Sequence, residues 1–154
     1  MRKGLGSIGF AIALAAAGAA HAGCACPPAS LDDHIAGATV IFAGKPLMFA
    51  QIPSGGSPFH SEQSMEKMGR GDNDVVIMFD VDTVWKGQPV HRIKVRHERG
   101  ECTPDFQIDV PVVVFAQVDP AGIYWTKLCS GNAATGEAGY DELKTVLTSR
   151  LRFN

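Results

Sequence analysis

The residues able to do chemistry in this chain are its four cysteines, Cys24, Cys26, Cys102 and Cys129. Cys24 and Cys26 are one residue apart, and the narrow geometric window of a disulfide disfavours a bond between such close neighbours. Each therefore takes a distant partner, stays a thiol or binds a metal. A structural zinc site usually has C-x₂₋₄-C pairs at both ends, whereas Cys102 and Cys129 are lone residues. A redox role calls for C-x-x-C or an activated thiol, and the sequence has no C-x-x-C. His34, His60, His91 and His97 lack the H-E-x-x-H spacing of a catalytic zinc helix and read as surface histidines. Asp80 and Asp82 share one face of a predicted strand, which reads as its solvent side. Arg70-Gly71-Asp72 spells an integrin-type tripeptide but is ordinary turn chemistry. No serine sits in G-x-S-x-G. The chain is read as a non-enzyme with no cofactor.

The cysteines follow an export-type segment. Arg2 and Lys3 precede an apolar, alanine-rich run from Leu5 to Ala20, and Ala20-His21-Ala22 offers a small-x-small cleavage pattern. Residues 1–22 thus read as a signal peptide of bacterial type and residues 23–154 as one domain. No later run approaches the length of a membrane-spanning helix, so the expected location is secreted or periplasmic. Ala22-Gly23-Cys24 also resembles the end of a lipoprotein box, with His21 where an aliphatic residue is expected; lipid anchoring would consume Cys24. Taking Arg2 and Lys3 from 14 basic against 16 acidic residues moves the net charge from −2 to −4. With the acids dispersed and no basic stripe recognised, nucleic acid is not an expected partner. An even cysteine count in an exported chain reads as disulfide-bonded.

The elements that must position these cysteines can be read in order. Ser30 can cap a helical turn through Asp32, Asp33 and His34. Ala38–Ala50 is rich in β-branched and aromatic residues, with Gly44 and Pro46 marking a bulge or bend. Residues 53–73 are polar and turn-rich and read as a long exposed loop. Asp74–Trp85 is the clearest strand, with Val75, Ile77, Phe79, Val81 and Trp85 on one face. Arg92–His97 alternates Ile93 and Val95 inward against Arg92, Lys94 and Arg96 outward. A loop carries Cys102, the apolar run Val110–Val118 predicts a buried strand, and Ile123–Leu128 predicts another that delivers Cys129. Gly131–Gly139 reads as a flexible connector. From Tyr140, Leu143, Val146, Leu147 and Leu151 recur at helical spacing. Strands followed by one helix, without βαβ alternation, predict a mainly β fold: a small antiparallel barrel with a short N-terminal helix and a C-terminal amphipathic helix.

Cys24-Ala25-Cys26-Pro27-Pro28 resembles the mature N-terminus of the tissue inhibitors of metalloproteinases. Further similarities follow in order: Val40 to Lys45, Phe79 to Gly87, the loop cysteine Cys102, the run to Phe115-Ala116, and Leu128-Cys129-Ser130. Together they span nearly all of residues 24–151 and are similar to that family's N-terminal, netrin-like domain. The resemblance implies a five-stranded OB-fold-like barrel, the disulfides Cys24–Cys102 and Cys26–Cys129, and an inhibitory ridge made of Cys24, Ala25, Cys26, Pro27, Gly100, Glu101 and Cys102. It also implies a partner, a zinc metalloendopeptidase. The α-amine and carbonyl oxygen of Cys24, as the mature N-terminal residue, would chelate the protease's zinc and displace its water, with Ala25 entering the specificity pocket. The rival expectation is a non-inhibitory structural or adaptor domain of the cell envelope. Either form is expected to be a monomer.

Overall fold

Val40–Ala43 and Val112–Ala116 are apolar at every position, and every one of these side chains is buried. A strand of that kind needs cover on both faces. The computed structural model, which describes residues 25–51, 75–97 and 105–151, provides it. Strands β1 (Val40–Gln51), β2 (Val75–Lys86), β3 (Arg92–His97), β4 (Val112–Val118) and β5 (Tyr124–Thr126) close a barrel in the order β1-β2-β3-β5-β4, with β4 returning to β1. A two-residue strand, β6 (Ala133–Ala134), adds to β4, and helices α1 (Leu31–Gly37) and α2 (Tyr140–Leu151) complete the described chain.

The barrel interior holds Phe42, Phe49, Ile77, Phe79, Val95, Phe106 and Val114. Phe79 is its aromatic centre, with edge-on contacts to Phe42 and Phe106 at ring separations of 5.3 and 5.6 Å. A second core lies outside the barrel wall. There Ile41, Ala43, Val113 and Phe115, the alternate residues of β1 and β4, meet Leu147 and Tyr140 of α2 and the half-buried Leu31 and Ile35 of α1. The two-sided strands are therefore shared by both cores.

The chain forms the expected five-stranded barrel with a short N-terminal and a C-terminal helix, and three finer points need correction. An all-antiparallel barrel cannot close on an odd number of strands, because alternating directions around the ring must meet a like neighbour once. That parallel pair is β3 with β5. Trp85 is not on the face of Phe79. The β1–β2 register slips three times, and two of the slips leave Asp82 and Trp85 as extra residues of β2. Each extra residue inverts the alternation, so Val84 packs against the barrel interior while Trp85 joins the second core and donates from Nε1 to Thr148 Oγ1 at 3.0 Å. His97 is not a surface histidine: it is buried at the end of β3 beside Phe106.

The bulge expected at Gly44 has a direct cause. A Cβ on Gly44 would lie 2.4 Å from the Asp80 carbonyl oxygen, so only glycine lets β1 cross β2 this closely. The Gly131–Gly139 connector contains β6, which pairs with Val112 and Val113. No helix among the described residues is long and apolar enough to cross a membrane. The expected signal peptide at 1–22, the expected loop at 53–73 with His60 and Arg70-Gly71-Asp72, and Cys24, Gly100, Glu101 and Cys102 all lie outside the described residues.

Candidate functional site: the fastened N-terminal segment

Ala25 to Ser30 runs along the surface without regular structure and is exposed throughout. Two devices hold it. At its C-terminal end, Ser30 and Asp33 form a reciprocal cap on α1: the Asp33 amide donates to Ser30 Oγ at 3.2 Å, and the Ser30 amide and hydroxyl donate to Asp33 Oδ2 at 2.9 and 2.7 Å. These bonds, the hydroxyl one above all, hold the Asp33 carboxyl below its ordinary pKa, with a smaller contribution from the neighbouring His34. Near its start, Cys26 is bonded to Cys129, 103 residues further along, with the two Cα atoms 5.3 Å apart. This is the second of the two pairings that the family resemblance implies.

Cys129 sits not at a strand end but in a 3₁₀ turn, Leu128–Ser130. The turn is seated through β4. The backbone of Phe115 finds side-chain partners there: Asn132 Oδ1 accepts from its amide at 2.9 Å, and Thr126 Oγ1 donates to its carbonyl at 2.8 Å. Asn132 Nδ2 in turn donates to Thr126 Oγ1 at 3.0 Å and to the Lys127 carbonyl at 3.2 Å. Asn132 and Thr126 thus complete the β4 ladder between its pairings to β5 and to β6. Thr126 is fully buried, so losing these bonds would strand polar groups out of reach of water. Gly131 ends the turn at φ +92°, and a Cβ there would stand 2.9 Å from the His34 ring. With His34 also 6.0 Å from the Phe115 ring, helix, turn and strand lock around the disulfide. A small cavity of about 100 Å³ opens beside it, between Asp33, Gln117, Lys127 and Ser130.

Ala25, Cys26 and Pro27 of the expected ridge are therefore exposed beside a rigid anchor. β3 ends at His97 and the chain is next described at Asp105, so Gly100, Glu101 and Cys102 of the expected ridge lie between the described segments. Asp80 and Asp82 are both exposed, and Asp80 stands opposite Lys45 on one neighbouring strand and Arg92 on the other. Among the described residues, no three His, Cys, Asp or Glu side chains are grouped to hold a metal ion. Sequence reasoning passed over Asn132 and Thr126. The only signal was the Gly131-Asn132 pair, one residue beyond Cys129-Ser130, which reads equally well as a plain turn. No protein-family model matches the chain, and no curated protein sequence matches it.

Proposed function

We propose that this chain is an exported protein-binding domain whose fastened N-terminal segment engages a zinc metalloendopeptidase and inhibits it. One observation carries the reading: Ala25–Pro28 is exposed along its length, yet is fixed to the barrel through Cys26–Cys129. A binding segment ordered in advance loses less entropy when it docks, and Pro27-Pro28 restricts it further. In this reading signal removal leaves Cys24 first, its amine and carbonyl oxygen reach the protease's zinc, and Ala25 enters the adjoining pocket. The zinc belongs to the target.

The test compares three forms of the disulfide-bonded protein, verified by intact mass: one starting at Cys24, the same form acetylated at its α-amine, and one starting at Gly23. Against a set of zinc metalloendopeptidases, the Cys24 form should inhibit and the other two should not, since each moves or blocks the chelating amine. Equal potency of the acetylated form would overturn the chelation mechanism. Absence of inhibition by all three would leave the adaptor role in its place.

A further inference from the structure

A groove of about 440 Å³ lies against β3, reaching Ile93 and, at the start of β1, Val40 of the barrel core, and has the size of a small-ligand site. Its floor carries Arg92 and Lys94, alternate residues of β3 that point to solvent. Its walls are apolar: Val76 of β2, Val90 of the β2–β3 loop, and Ile123 and Tyr124 at the tip of the β4–β5 hairpin. Val90 and Ile123 are 38% and 43% exposed, so each of the two loops beside β3 presents a β-branched apolar side chain to solvent.

The hairpin wall is built in advance. Asp119 Oδ1 accepts from the amides of Ala121 and Ile123, both at 2.9 Å, and Asp119 Oδ2 pairs with Arg96 of β3 at 3.4 Å. One carboxylate thus shapes the loop that carries Ile123 and ties it to the floor strand. Arg96 is engaged by this contact. Among the described residues, Arg92 and Lys94 have no carboxylate at ion-pair distance and no acidic side chain lines the groove. Lys94, and Arg92 with Asp80 across from it on β2, stand between apolar walls and are complementary to an anion attached to an apolar body.

We infer that this groove binds a single-headed amphiphilic anion: an aliphatic or aromatic body between Val76, Val90, Ile123 and Tyr124, and one carboxylate or phosphate on Arg92 and Lys94. The occupant is the free amphiphile rather than a bilayer, because the loops wall the site on two sides and would hold a flat membrane off its floor.

Calorimetric titration of the whole chain tests this with decanoate, decyl phosphate, decanol and decyltrimethylammonium, each below its micelle concentration. Vesicles of phosphatidylglycerol form the membrane arm. The two anions should bind one to one and tighter than decanol, and decyltrimethylammonium should not bind. Lys94→Gln should weaken the anions about tenfold, the loss of one charge-assisted contact, and Lys94→Arg should restore them. Ile123→Asp should abolish binding while the melting temperature reports an intact fold. Equal binding of anionic and cationic amphiphiles, indifference to Lys94→Gln in a folded variant, binding to vesicles alone or binding of none of the probes would each overturn the inference.

Discussion

At Ser30 and Asp33 a single pair of side chains decides both where α1 starts and how the N-terminal segment enters the domain. The hydroxyl and amide of Ser30 stabilise the charged carboxylate of Asp33 and depress its pKa. The sign of the pH effect follows. The folded carboxyl titrates below the unfolded one, so the cap contributes fully above the ordinary carboxylate range near 4 and is lost as pH falls through the lower folded value. Ser30→Ala should return the Asp33 titration toward its ordinary range, as read by carboxyl NMR, and flatten the acid limb of the stability profile. An Asp33 curve unmoved by the substitution would mean that the cap is not its cause. The cap was legible in the sequence because its signal is local: a serine three residues before an aspartate, at the edge of an apolar pattern. Asn132 was not, because its partners, the Phe115 amide and Thr126, lie elsewhere in the chain, and no spacing rule encodes a side chain that finishes another strand's ladder.

At the scale of elements, β2 carries the same lesson. Its alternation is clear from Val75 to Phe79, and the structure keeps it there. It fails after Asp82, because a bulge shifts the inward phase without changing the residue types that would reveal it. Trp85 consequently serves α2 rather than the barrel. The helix has a narrow footing: among its residues only Tyr140 and Leu147 are buried, with Leu143 and Leu151 half-buried against the same cluster. Leu147→Ala should cost about 2–5 kcal/mol, the range for a large-to-small change at a fully buried site. Leu143→Ala, at a half-buried site, should cost clearly less. Urea titrations followed by tryptophan fluorescence would measure both, and equal losses at the two positions would contradict the packing described for α2. The apolar run of β4 was read correctly as a buried strand, but continuous apolarity cannot tell which of two cores each alternate residue joins.

At the scale of the whole molecule, the barrel and the disulfide contribute differently. The five strands close on themselves through β1–β4 and β3–β5, so none of the five barrel strands depends on Cys26 for its pairing. The Cys26–Cys129 bond spans 103 residues, and a loop of that order removes about 4.7 kcal/mol of unfolded-state entropy in the chain model. Small domains have only about 5–15 kcal/mol of net stability, so the bond accounts for a large share without defining the fold. The double variant Cys26→Ser with Cys129→Ser should therefore keep the circular-dichroism spectrum of the barrel while its urea midpoint falls sharply. Amide exchange should then separate two roles. Core amides of β1 and β4 should exchange faster in proportion to the global loss. The amides of Ser30 and of Ser130 in the 128–130 turn, which are hydrogen-bonded, should lose protection beyond it, because their local anchor is gone. A uniform loss across the chain would mean that the bond acts only on the unfolded state. An excess loss confined to the two joined segments would identify it as the element that holds the exposed N-terminus in place, which is the property that any binding by that segment requires.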